Sequence, residues 1–245
     1  MALVIALILI ALAALGYFVV FPLMNQPAAE EPAAVAPLPE SPALPTPENP
    51  APEQPVVPTG GAVQHVSFFL TPADVIDSAV LSEVSLVGLK NSLTFDTAEV
   101  SILREINFSN TQGQSIAAAT LASLIDSTTF APSVMERFSA DATFFTFTNM
   151  QGTWPGLVLE ARDAASLPTL AMTTQSIEDG HSLTGYFLVD PGTPSMWKSG
   201  QAFGLATRYL SFTQPGAALN YGWVGTKLVV SASYDGLKAA LGRLQ

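Results

Sequence analysis

The amino-acid sequence predicts an α+β fold: a mostly antiparallel sheet with helices packed on one face, preceded by one transmembrane helix and a disordered tether. Three observations lead there. An unbroken apolar run from Met1 to Met24 passes directly into a proline-rich acidic tract. Hairpin patterns dominate the C-terminal half of the chain. Two segments, beginning near Ala142 and Ala217, share one strand, turn, strand, helix plan. A doubly wound parallel sheet would need strict alternation of strands and helices, and the chain lacks it.

Residues 1–24 read as a transmembrane signal anchor. About 20 apolar residues, rising about 1.5 Å each as a helix, match a hydrocarbon core about 30 Å thick. The first basic side chain is Lys90, so the usual lysine and arginine cue to orientation is missing. A short leading end before a long domain is the layout of a signal anchor, which puts the N-terminus inside and the remaining chain outside the cytoplasm, on a single-pass protein of the cell membrane. Ala11-Leu12-Ala13 has the small-x-small form of a cleavage site. Cutting there would leave Leu15 to Phe21 exposed at a new N-terminus, so retention is the preferred reading.

Residues 25–63 form the tether. Prolines at 27, 32, 37, 39, 42, 45, 47, 50, 52, 55 and 58, interleaved with Ala and Glu, remove amide donors and favour extended polyproline backbone. At about 3.1 Å per residue the tract reaches on the order of 110 Å when fully extended, enough to clear a dense polar layer. Pro39-Glu40-Ser41-Pro42 and Pro42-Ala43-Leu44-Pro45 also fit a proline-recognition ligand, but such spacing arises by chance in any tract of this composition.

Residues 64–245 are expected to be one extracytoplasmic α+β domain, long enough to bury a single core. The formal charge of -11 falls partly on the tether acids Glu30, Glu31, Glu40, Glu48 and Glu53, and no basic surface offsets it. Nucleic acid is therefore excluded as a partner. Zero cysteines rule out disulfides, thiolate zinc sites, a thiol nucleophile and a lipidated cysteine.

Within the domain, His65 to Leu70 reads as a short apolar strand and Thr71-Pro72 as a turn. Ser82 or Ser85 caps a helix with Leu86, Leu89 and Leu93 on one face. Val100 to Ser109 reads as a strand, Asn110 to Gln114 as a turn, Ile116 to Ile125 as a helix, and Val134 to Phe138 as a second helix begun by Pro132-Ser133. Ala142 to Thr148 alternates Thr143, Phe145, Phe147 against Phe144, Thr146, Thr148, turns at Gln151-Gly152, returns from Trp154 to Arg162 and enters a helix after Asp163. Gln201 to Gly204 pairs with Thr207 to Thr213. Ala217 to Val224 is extended, Gly225-Thr226 turns, Lys227 to Ser233 returns, and a helix runs from Asp235 to Leu244. Trp154-Pro155-Gly156 and Trp223-Val224-Gly225 sit near the two turns, which suggests a structural repeat whose register needs a gap.

Through Phe68-Phe69, Pro72-Ala73-Asp74, Tyr209-Leu210-Ser211-Phe212, Pro215-Gly216, Asn220-Tyr221-Gly222-Trp223 and Leu228 to Ser233, the chain resembles a group of bacterial membrane-anchored proteins of candidate-phylum type. Those proteins join one N-terminal helix and a proline-rich tether to a domain of this pattern. The resemblance covers nearly the whole chain and implies the layout; no activity comes with it.

Chemistry is sparse. The histidines are His65, beside the tether junction, and His181, in the turn Asp179-Gly180-His181-Ser182. No Gly-x-Ser-x-Gly elbow supplies a nucleophile for a triad. Glu178, Asp179 and His181 have metal-ligating chemistry, yet adjacent acids with a glycine after them more often end a helix. Asp141 and Glu160, near Trp154, are candidates for paired carboxylates in glycoside cleavage. The preferred reading puts Asp141, Glu160, Glu178, Asp179 and His181 on solvated faces and turns. Asn107-Phe108-Ser109 fits a glycosylation acceptor but sits in a strand. Asp190 to Trp197 is a turn-rich loop of the kind that can hold binding residues. Trp154, Trp197 and Trp223 are the candidate binding surface, against the alternative that they are core. No catalytic residue, cofactor or metal is read.

The function expected is a non-enzymatic binding or scaffolding module of the bacterial cell envelope, attached through its N-terminal helix and engaging an envelope protein or glycan. The alternatives are an envelope hydrolase using paired carboxylates, and a small subunit of an energy-coupling or secretion system. The apolar helix, with no Ser, His or charged side chain, weakens the last of these.

Overall fold

The computed structural model describes residues 65–94, 99–179 and 182–245. The anchor expected over 1–24 and the tether over 25–63 lie outside them. No helix among the described residues is long and apolar enough to cross a membrane.

Eight described strands form one sheet: β1 (Val75–Leu81), β2 (Ile102–Asn110), β3 (Phe138–Asn149), β4 (Gly152–Ala161), β5 (Lys198–Ala202), β6 (Leu205–Ser211), β7 (Ala218–Val224) and β8 (Lys227–Ser231). Their spatial order is β1-β2-β3-β4-β8-β7-β6-β5. Only the β1/β2 pair is parallel. The α+β class with a mostly antiparallel sheet is therefore the observed one. Its helices are α1 (Leu86–Leu93), α2 (Ala118–Ile125), α3 (Pro132–Met135), α4 (Leu167–Thr174), α5 (Ser176–Asp179) and α6 (Tyr234–Arg243), with 3-10 turns at Ala164–Ser166 and Ser182–Tyr186.

Local signals place most elements. The Ser85 hydroxyl accepts from Gly88 N at 3.1 Å and starts α1, whose Leu89 and Leu93 are buried. Asp163 accepts from Ser166 N at 2.7 Å and opens the turn that leads into α4. Pro132 occupies the first turn of α3, where a missing N–H costs nothing. The β5/β6 hairpin closes through Phe203 and Gly204, both at positive φ, a tighter connection than the pattern indicated.

The helices do not share one face, which corrects the expectation. The central strands are apolar on both sides: Phe144, Trp154, Leu157, Leu228 and Val230 face one core, while Phe145, Phe147, Val158 and Val229 face another. Two apolar faces need two covers. The first is covered by residues of α1, α2, α4 and α5, including Leu89, Leu121, Leu170 and Ile177; the second by α6 through Leu237, Ala240 and Leu241.

The hairpin and helix segments exist, but they are not equivalent copies. β4 and β8 are antiparallel neighbours, so an axis relating the two hairpins would run perpendicular to the sheet and keep the helices after them on one face. Leu170 of α4 and Leu237 of α6 pack on opposite faces. Trp154 lies on a returning strand and Trp223 on an outgoing one.

His65 to Leu70 is not a strand. Its amides bond to side chains and to a distant carbonyl instead of a ladder: Val66 N to Asp141 Oδ2 at 2.7 Å, Phe68 N to Thr143 Oγ1 at 2.8 Å, and Leu70 N to the Arg243 carbonyl at 2.7 Å. The first strand is β1, which the sequence pattern does not announce. Ile76 and Val80 are exposed there while Asp77 is half-buried, so its alternation is too mixed to signal a half-buried strand.

Candidate functional site

The three tryptophans belong to the packing of the first core. Trp154 is fully buried, and its Nε1 donates to Asn149 Oδ1 at 3.0 Å, so its ring is not available to a ligand. Trp223 is half-buried and stacks on Phe138 at 6.2 Å between centroids; Trp197 is half-buried and meets Tyr221 edge to face at 5.8 Å. The loop bearing Trp197 is stitched to the end of β6, with Ser195 N bonded to the Ser211 carbonyl at 2.8 Å and Thr213 N to the Thr193 carbonyl at 3.1 Å.

Three of the acids assigned to solvated faces are instead engaged, which corrects that reading. Glu178 accepts from Arg208 Nε at 2.8 Å, from Arg208 Nη2 and from the Tyr221 hydroxyl. The Arg208 hydrogen bonds hold its carboxyl below the usual range, and burial raises the Tyr221 phenol. This cluster pins α5 to β6 and β7. Glu160 accepts from Lys227 Nζ at 2.8 Å inside a groove of about 580 Å³ at the open end of the β3/β4 hairpin. Asp179 is exposed at the end of α5 as expected, and His181 lies outside the described residues.

Asp141 takes part in a clamp that no local pattern announced. His65 Nδ1 donates to Asp141 Oδ1 at 2.8 Å and its Nε2 to Glu105 Oε1 at 2.9 Å, while the Ser67 hydroxyl donates to Glu105 Oε2 at 2.9 Å. Glu105 is buried on β2. The hydrogen bond to Asp141, then that to Glu105, raises the imidazole to about 9 against the opposing effect of burial. His65 is thus an imidazolium at neutral pH, with both nitrogens donating, and has no lone pair to act as a general base. Ser67 bonds the acid and not the histidine, so the three do not form a nucleophilic triad. The imidazole fills the space between the Asp141 and Glu105 carboxylates, while Glu160 is held separately by Lys227.

This clamp makes stability pH-dependent in a defined direction. His65 has a folded pKa above its ordinary 6.5, so its contribution is complete below about pH 6.5 and is lost as pH rises through about 9. The melting temperature of the wild type should therefore fall between pH 7 and 9.5, and that fall should shrink in His65→Gln. An unchanged slope in the variant would show that the clamp does not carry the effect.

A concave site is found on the α6 side of the sheet. Strands β5, β6 and β7 form its floor and the first turn of α6 one wall, enclosing a cleft of about 440 Å³, within the range of about 300–1,000 Å³ usual for small-molecule sites. Ser233 caps α6 by accepting from Gly236 N at 3.0 Å. Gly236 lets the helix approach closely, since a Cβ there would stand 2.7 Å from Ser231 Oγ and 3.2 Å from Phe147 Cβ. That approach brings Tyr234 over the floor, where its hydroxyl donates to the Gln201 carbonyl at 3.2 Å. Tyr209 lies on the floor and Asn220, on β7, is 1% exposed. No Asp, Glu, Lys, Arg or His lines the cleft among the described residues. Nor do those residues contain a group of three or more that could hold a metal ion.

The sequence carried no signal for this cleft. Tyr209 and Asn220 face each other only through the β6/β7 register, and Tyr234 joins them from a helix beyond the next strand. Comparison with protein-family models, curated proteins and solved structures finds no match for this chain.

Proposed function

We propose that the protein is a non-enzymatic binding or scaffolding module of the bacterial cell envelope. Residues 1–24 anchor it as a single-pass membrane helix, residues 25–63 act as the spacer, and the domain engages an envelope protein or glycan outside the cytoplasm through the cleft over β5, β6 and β7. The observation that carries this reading is the cleft's lining of tyrosine, amide and hydroxyl groups without a carboxylate or imidazole. A surface of that kind supplies contact area and hydrogen bonds, with no carboxylate or imidazole to exchange a proton near neutral pH. The engagement of Asp141, Glu105, Glu160 and Glu178 with cationic partners supports the same view.

Two measurements test it. After alkaline carbonate extraction the intact protein should stay with membranes, and protease added outside should remove the domain; a soluble, shortened chain starting near Ala14 would refute the anchor. A photo-crosslinking residue in place of Tyr234, on the cleft wall, should capture an envelope component in cells, whereas one at the exposed turn residue Met150 should not. Equal capture at both positions, or none at either, would remove the cleft from the proposal.

A further inference from the structure

We infer that the cleft over β5, β6 and β7 is a binding site for a neutral saccharide. This rests on the binding-module reading and names the ligand class of that same site. The first argument is electrostatic: the chain has a net charge of -11, yet no charged side chain lines the cleft, so it complements neither an anion nor a cation.

The second argument is the geometry of the rings. Gly200 on β5 lets the Tyr209 ring lie close against the strand, since a Cβ at that position would stand 3.2 Å from Cδ1 and 3.3 Å from Cε1. Tyr234 forms the opposing wall, its hydroxyl held by the Gln201 carbonyl and its ring approached by Lys238 Nζ at 5.8 Å. Tyrosines offer an apolar face beside a polar tip, and a pyranose offers an apolar C–H face ringed by hydroxyls.

The third argument concerns hydrogen bonding. Asn220 is almost wholly buried in the floor and anchored there by its Nδ2, which donates to the Ala218 carbonyl at 2.6 Å, so the polar groups that the cleft presents to a ligand include the phenol hydroxyls of Tyr209 and Tyr234. A sugar hydroxyl, both donor and acceptor, matches such phenols. An extended peptide fits less well, because the backbone groups of β6 are already committed to β5 and β7. Recognition over β6 and β7 therefore has to come from side chains.

The full chain, purified in a detergent without a sugar headgroup, is to be applied to an array of neutral and acidic oligosaccharides that includes cellotetraose and N-acetylglucosamine tetramer. The expected result is saturable binding to neutral members, weakened at least tenfold by Tyr209→Ala, less by Tyr209→Phe and not at all by Met150→Ala. Ala218→Leu, which fills the cleft, should have the same effect as Tyr209→Ala, so a folding defect in either variant leaves the other to decide. Binding confined to acidic members, no binding to neutral ones, or neutral binding indifferent to both cleft variants would overturn the inference. If that happens while the crosslinker at position 234 still captures an envelope component, only the ligand class is wrong; if both fail, the binding-module reading fails as well.

Discussion

Replacing Trp154 with alanine is expected to cost about 3 to 5 kcal/mol, a large share of the roughly 5–15 kcal/mol that holds a domain folded. The ring is fully buried on β4, packs edge to face with Phe187 at 6.4 Å between centroids, and satisfies its N–H through Asn149. Removing it opens a cavity and deprives the Asn149 oxygen of its indole donor at once. Circular dichroism melts should show a large drop in melting temperature or an unfolded chain. The opposing account, in which Trp154 meets a ligand, requires a variant with unchanged melting that no longer binds; that outcome would overturn the core assignment.

Gly156→Ala should be comparably damaging although it adds a single methyl. Gly156 pairs across the β3/β4 ladder with Phe145, whose ring folds over the glycine: a Cβ there would stand 2.0 Å from Cζ and 2.4 Å from Cε2. The ring has no free volume to enter, because Phe145 is fully buried and packs against Phe69 at 5.9 Å between centroids. Overpacking of this kind costs about 1–3 kcal/mol and more where the neighbour cannot move. The double variant Gly156→Ala with Phe145→Leu should be less destabilised than the sum of the single changes, since the smaller side chain clears the added methyl. Strict additivity would mean that the ring is not the obstacle.

The same pair shows where local pattern loses its power to predict. Alternation along β3 is visible in the sequence, with Phe144 opposed to Phe145 and Phe147, but its meaning is not. Phenylalanines on both sides of one strand require cover on both faces of the sheet, and an assignment of all helices to one face neglects that demand. Trp154 and Trp223, alike in their Trp-x-Gly setting, suggest a repeat; they lie on strands of opposite role, and the helices after them pack on opposite faces. His65 to Leu70 has the composition of a strand and becomes a strap, because its amides meet Asp141, Thr143 and Arg243 instead of a ladder partner.

What the sequence determined by itself is what neighbouring residues decide among themselves: the turn at Gly225-Thr226, a helix start at Ser82 or Ser85, the helix entry after Asp163, the alternation of β3, and hence the α+β class. These features depend on backbone preferences and side-chain spacing within a few residues, so they can be read along the chain. Tertiary structure alone decided the strand order, the division of helices between two cores, the clamp of His65 by Glu105 and Asp141, and the cleft of Tyr209, Asn220 and Tyr234. The clamp joins residues 40 and 76 positions apart, and the Arg243 to Pro72 contact spans 171. Such pairings are selected by the burial and charge balance of the whole domain, which short-range pattern does not encode.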